Sequence, residues 1–168
     1  MDYEVVENFL SEDELKYVQN LLVFNPDTPF FLNPTVASDD DHVKTTWNWY
    51  GTHVFYDWER PMSNFFNGVW EIFSPKLKEY KSLIRIKANF YPNTPVVEEH
   101  LPHVDYEWKH YGAIFSLNTC DGFTRLSDGT KIDSVENRIL FFDPSVQHNS
   151  STTSDQSGRF NINFNWLE

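Results

Sequence analysis

Apolar positions change their spacing partway along the chain. Leu15, Val18, Leu21 and Leu22 recur at helical intervals, and so do Phe65, Phe66, Val69, Trp70 and Phe73. Ser11-Glu12-Asp13-Glu14 is a capping box, with Leu10 and Leu15 placed as a hydrophobic staple. A first helix is therefore predicted from Ser11 to about Phe24, with Pro26 and Pro29 beyond its end. A second is predicted to start near Pro61 and to end at Pro75. Between them, Asn25–Lys44 is polar and proline-bearing and reads as a surface loop or lid. Trp47–Tyr50 and His53–Trp58 read as short strands around Gly51.

From Leu83 onward the period is two. Leu83–Tyr91, Tyr111–Asn118, Ile139–Phe142 and Arg159–Trp166 read as strands, with tight turns at Asp121-Gly122 and Asp128-Gly129. The layout is mainly β within an α+β arrangement: helical support over 1–80 and a β core over 83–168, as one domain. A sandwich or small barrel braced by N-terminal helices fits it.

Composition narrows the function classes. The 168 residues include 29 aromatics, far too many for a disordered chain. The net charge of -12 opposes general binding to a nucleic-acid backbone. A single cysteine, Cys120, makes no internal disulfide. With no signal-like start and no long apolar run, the chain is expected to be cytoplasmic and not membrane-bound. The oligomeric state and the source organism are not legible.

Six histidines and 25 carboxylates make a metal site worth seeking. In His103-Val104-Asp105, residues i and i+2 of an extended segment point to one side, so both side chains can reach one ion. Such a triplet arises about 0.5 times by chance in this composition, so it carries little alone. If His148 folds back against it, two imidazoles and one carboxylate occupy one face of an octahedron, the ligand set of non-haem Fe(II) oxygenases. The last strand adds a second signal. Arg159, Asn161, Asn163 and Asn165 share one face, and Phe160, Ile162, Phe164 and Trp166 share the other. If the polar face looks inward, Arg159 is buried and needs an anion. Asn89 and Tyr91 share a face on an earlier strand and could donate to the same anion.

Together these residues resemble the Fe(II)/2-oxoglutarate-dependent dioxygenases, within them the prolyl 4-hydroxylase-like group. The matching pieces run in order: IRIKANFYPN, HVD at 103–105, YGAIFSLN, DGFTRLSDGTKI, RILFFDPSVQH ending at His148, and GRFNINFNW. The opening NFLSEDELKYV is similar as well. The resemblance implies a double-stranded β-helix (jelly roll) with N-terminal helices packed on one sheet. It implies His103, Asp105 and His148 as iron ligands, and Arg159, Tyr91, Asn89 and Asn161 around 2-oxoglutarate. It further implies O2 as co-substrate, ascorbate as a candidate reductant, and hydroxylation of a C–H on a prolyl or other amino-acid side chain. The substrate would be a peptide, a protein or a small molecule, with Tyr106 and Trp108 at the substrate mouth. The chain departs from the family pattern at Asp121-Gly122-Phe123-Thr124, where Gly-Gly is common, and at Asn137, where Gly is common. Asn89-x-Tyr91 and Arg159-x-Asn161 are also similar to AlkB-type nucleic-acid demethylases, but position 165 is Asn where those carry a second Arg. A cupin-like metal-binding module without 2-oxoglutarate is the remaining alternative.

Overall fold

The computed structural model describes residues 2–37, 48–77 and 80–168. Residues 38–44 of the expected lid and Trp47 lie outside them.

The capping box forms as expected. Glu14 N–H donates to Ser11 Oγ at 3.4 Å, and Ser11 N–H donates to Glu14 Oε2 at 2.9 Å. They start α1, Glu12–Gln19, which runs on as a π-helical turn over Asn20–Phe24. The second helix begins later than expected: α2 spans Phe66–Phe73, followed by a 3-10 turn at Ser74–Lys76. Pro61 instead belongs to a two-residue strand, β4 (Arg60–Pro61), paired with the end of β3 (Tyr50–Asp57). The two strands expected around Gly51 are this one strand β3, and the expected loop contains β2, Phe31–Asn33. Short β2 (sequence Phe-Leu-Asn) pairs with β3, so the sheet extends into a segment whose flanking prolines mark it as a loop.

The remaining strands are β1 (Tyr3–Val6), β5 (Ser82–Pro92), β6 (Tyr111–Ser116), β7 (Phe123–Leu126), β8 (Lys131–Asp133), β9 (Arg138–Phe142), β10 (His148–Ser150) and β11 (Gly158–Leu167). Eight strands make the large sheet, in the order β1-β9-β6-β11-β5-β3-β2 with β4 beside β3. Three make the small one, β10-β7-β8. The segment before β6 also runs along β10, bridging Glu99 to Ser151 and His103 to His148. Two facing sheets with this wrapping form the expected jelly roll.

The large sheet buries both faces. On one, Ile86, Phe115, Ile162 and Phe164 pack with Val18, Leu22, Val69 and Phe73 of the helices. Phe73 anchors this contact, its ring 4.6 Å from Phe164 and 5.2 Å from Phe115. The opposite face looks at the small sheet and is polar: Arg159, Asn161, Asn163 and Asn165 on β11 are all buried there. In register beside them on β5 stand Tyr91, Asn89, Lys87 and Arg85. The interior between the sheets is therefore divided, polar along β11 and β5 and apolar where Ile114, Leu140 and Phe142 meet Leu126 of the small sheet.

Asn137 shows why a family-typical glycine is dispensable here. Its φ of 61° is left-handed, a conformation Asn tolerates better than other side chains. The side chain then accepts from Leu10 N–H at 2.8 Å and donates to Leu10 O at 2.9 Å, pinning the entry to α1 against β9. Replacing it separates the two roles. Asn137→Gly should cost about 2 kcal/mol for two buried hydrogen bonds, and Asn137→Ala about 1 kcal/mol more for the backbone. Urea denaturation of both variants measures the difference; equal losses would mean that the left-handed backbone contributes nothing.

Candidate metal centre and anion site

His103 and His148 are brought together by backbone pairing. Each donates its N–H to the other's carbonyl at 2.9 Å, and the rings lie 4.6 Å apart. Asp105, two residues on, donates its N–H to Pro144 O at 2.9 Å, so both chain segments are tied at the same level. One ligand atom from each of His103, Asp105 and His148 falls within a 4.8 Å cluster. His148 Nδ1 lies 3.1 Å from Val146 O, which makes Nδ1 the protonated nitrogen and leaves Nε2 for an ion.

Electrostatics prepares the same set. Burial, and then the neighbouring His148, push the His103 pKa down to about 4. Burial lowers His148 as well. Both imidazoles are thus neutral at pH 7, the form that ligates a metal. For Asp105, burial opposes ionisation, but Lys87 and Arg85 outweigh it and hold the carboxyl well below its usual range. Asn165 Nδ2 donates to Asp105 Oδ2 at 2.8 Å and Asn163 Nδ2 at 3.3 Å, while Arg85 pairs with Oδ1 at 3.3 Å. Two neutral imidazoles and a fixed carboxylate suit a divalent first-row ion such as Fe(II).

Arg159 is only 1% exposed. Its Nη2 donates to Thr124 Oγ1 at 2.9 Å and Nη1 to Ser151 O at 3.3 Å, while its buried Nε has no partner. The guanidinium lies 5.4 Å from the Tyr91 ring centroid, and no carboxylate pairs with it among the described residues. A buried charge left in this state costs several kcal/mol, and burial accordingly lowers the pKa of Arg159. Gly122 lets the backbone close over it: a Cβ there would stand 2.8 Å from Arg159 Cδ and 2.6 Å from Thr152 O.

The other expected site residues fall around these two centres. Asn89 Nδ2 donates to Asn161 Oδ1 at 2.8 Å, leaving Asn89 Oδ1 buried without a partner. Tyr91 stacks on Tyr50 at 5.7 Å. Lys87, Asn89, Tyr91, Asn161 and Asn163 line one cavity with the His-Asp-His set. Tyr106 and Trp108 stack on each other at 5.1 Å, and Arg85 sits over the Tyr106 ring. Glu99 is engaged by Arg125 at 2.5 and 3.0 Å. A larger groove of about 570 Å³, lined by Tyr3, His110 and Phe142 among others, contains none of the three clustered ligands.

Arg85, Lys87, Thr124 and His100 were not legible as site residues. The signal for Arg85 and Lys87 was the alternation that marked Asn89 and Tyr91, continued toward the strand's start. Nothing local marks His100, whose Nδ1 lies 2.8 Å from Ser150 Oγ and whose Nε2 is buried without a partner.

No protein-family model matches the chain, and no curated protein matches its sequence. Solved structures match its fold over nearly the whole length. A viral collagen prolyl hydroxylase from Paramecium bursaria Chlorella virus-1, in complex with 2-oxoglutarate, is 14% identical, with 99% of this chain and 96% of that one covered at a TM-score of 0.61. A prolyl hydroxylase from Trichoplax adhaerens, bound to a hypoxia-inducible-factor peptide, is 17% identical, with 98% and 83% covered at 0.65. SnoN, an α-ketoglutarate-dependent epimerase of nogalamycin biosynthesis, is 10% identical, with 99% and 78% covered at 0.65. The fold is that of the 2-oxoglutarate/Fe(II) oxygenases.

The buried histidines set an acid limit on stability. Burial and then Arg159 push the His100 pKa down from 6.5 to about 3. The unfolded chain therefore binds more protons than the folded one below 6.5, and stability falls as pH drops toward 3. The urea midpoint of the metal-free protein should be lower at pH 5 than at pH 7, with a smaller drop in His100→Gln. An equal drop in the variant would mean that His100 is not held neutral.

Proposed function

We propose that the protein is an Fe(II)- and 2-oxoglutarate-dependent dioxygenase that hydroxylates an unactivated C–H, on a prolyl or other amino-acid side chain. The observation that carries this reading is the buried Arg159, without a carboxylate partner among the described residues, in the same interior as the His103, Asp105 and His148 cluster. A dicarboxylate co-substrate supplies the missing anion.

In this reading His103, Asp105 and His148 hold the ion. When bound, Fe(II) couples the oxidative decarboxylation of 2-oxoglutarate by O2, giving succinate and CO2, to hydroxylation of the substrate. The rest is the work of the chain. Arg159 binds the distal carboxylate with Thr124 and Tyr91 around it, and so fixes the direction in which the keto acid points at the metal ligands. Asn89 offers a buried oxygen, and Asn161 holds Asn89 in place. Asn163, Asn165 and Arg85 keep Asp105 ionised and oriented. Tyr106 and Trp108 border the substrate entrance.

The demethylase alternative gains nothing, since Asn165 donates to Asp105 and offers no second cation for the co-substrate. The substrate is a peptide or a small molecule; of the structures similar in fold, one is bound to a hypoxia-inducible-factor peptide and another is an epimerase of nogalamycin biosynthesis. The buried free thiol of Cys120 suits a reducing, cytoplasmic compartment. Among the described residues no helix is long and apolar enough to cross a membrane.

Anaerobic addition of Fe(II) and 2-oxoglutarate should give a visible charge-transfer band that needs both components. Asp105→Ala and His148→Ala should abolish it. Asn165→Leu should keep the band but weaken metal affinity about 10- to 100-fold, the usual effect of losing a ligand's hydrogen-bond partner. No band in the unaltered protein would contradict the reading.

A further inference from the structure

The polar interior holds three cations on two strands, and two of them have direct polar partners. Arg85 pairs with Asp105 at 3.3 Å and donates to Asn165 Oδ1 at 3.3 Å. Arg159 stands over Tyr91 with Thr124 and Ser151. The third is Lys87, which lines the same cavity as His103, Asp105 and His148. Its ammonium lies 5.6 Å from the Tyr50 ring centroid, and no carboxylate is within ion-pair distance of it among the described residues. Asp105 and Asp57 act on it only through space.

Position separates Lys87 from the Arg159 site. In the strand register Arg159 faces Tyr91, whereas Lys87 faces Asn163, four residues further along. That is about 13 Å along the strand. Lys87 thus stands at the level of Asp105, whose Oδ2 Asn163 contacts, and not at the level of the anion site. Charge leads the same way. With a divalent ion and a dianionic co-substrate in place, Asp105 and the co-substrate leave the metal, Arg85, Lys87 and Arg159 with a positive surplus. A half-buried ammonium beside an open metal face is stabilised most by an anion that arrives with the reactant. Burial and the like charge of Arg85 push the Lys87 pKa down to about 8, so the group remains charged at pH 7 yet strains for a partner.

We propose that Lys87 is the recognition point for a side-chain carboxylate on the primary substrate, so that the protein acts on an acidic amino acid, free or within a peptide. This rests on the dioxygenase reading above and narrows its substrate from amino-acid side chains in general to acidic ones. Glu99 is already paired with Arg125 and does not line this cavity.

The test is the thermal midpoint of the protein loaded with Mn(II) and saturating 2-oxoglutarate. It is titrated with L-aspartate, L-glutamate and N-acetyl-aspartate N-methylamide, and in parallel with the neutral isosteres L-asparagine and L-glutamine. At least one acid should raise the midpoint, and the amides should not. Response to the free acids alone identifies a small-molecule substrate, and response to the capped one a peptidyl side chain; either supports the proposal. Lys87→Met should weaken the acid response about 10- to 100-fold, the loss of one charge-assisted hydrogen bond, and Lys87→Arg should restore part of it. The shift caused by 2-oxoglutarate itself should survive in both variants, which also shows that they fold. No response to any acid, equal response to acids and amides, or an unchanged response in Lys87→Met would overturn the proposal. So would loss of the 2-oxoglutarate shift in Lys87→Met, because Lys87 would then serve the co-substrate. No shift on adding Mn(II) and 2-oxoglutarate to the unaltered protein would instead overturn the dioxygenase reading, before any acid is added.

Discussion

A guanidinium enclosed between two β-sheets, with no carboxylate beside it among the described residues, governs how this interior is built. Arg159 forgoes hydration and receives in return a hydroxyl, a carbonyl and an aromatic face. Those contacts do not neutralise a buried charge. The apolar side of the same strand offsets the cost: Ile162, Phe164 and Trp166 are buried against the helices and lock β11 in register between β5 and β6. The strand cannot turn Arg159 to solvent without exposing that row, because a one-residue slip exchanges the two faces. The fold therefore imposes an anion-seeking position, and the glycine at 122 closes the backbone over it.

Around this position the interior divides its charges by function. Asp105 is surrounded by donors from three residues and remains a carboxylate despite its burial. His103 and His148 are kept neutral by the same burial. One low-dielectric environment thus brings both kinds of side chain to the protonation state that a metal ion would require. Burial alone does this for the imidazoles, whereas the carboxylate needs nearby cations to overcome it. Arg85, 3.3 Å from Oδ1, does more than line a wall: it makes ionised Asp105 tolerable.

Most of the architecture was legible because period-two patterning is strong where a strand buries one polar and one apolar face. β5, β6, β9 and β11 were each foreseen to within about two residues, and so was the capped start of α1. The misses have physical causes. The strand β10 is three residues of polar sequence, His148–Ser150, whose conformation comes from pairing with β7 rather than from propensity. The start of α2 was misplaced because Pro61 suits a helix's first turn and a sheet edge equally well, and β3 claimed it. At the site, His103 and Asp105 were suggested by spacing, but the approach of His148 depended on a long-range backbone bridge. The resemblance to a known family anticipated that bridge. The clamps on Asp105 were not foreseen, because Asn163 and Asn165 look like any solvated alternation until the face they occupy is known to point inward.

The central claim is that Arg159 awaits the distal carboxylate of a keto diacid, and comparing 2-oxoglutarate with 2-oxobutyrate measures it directly. The two share the keto-acid end and differ in the distal carboxylate. Affinities for both are needed in the Mn(II)-loaded protein and in Arg159→Met. A large preference for 2-oxoglutarate in the unaltered protein, about tenfold or more for a charge-assisted pair, should nearly vanish in the variant while metal affinity stays the same. Equal binding of the two acids by the unaltered protein, or an undiminished preference in Arg159→Met, would contradict the claim.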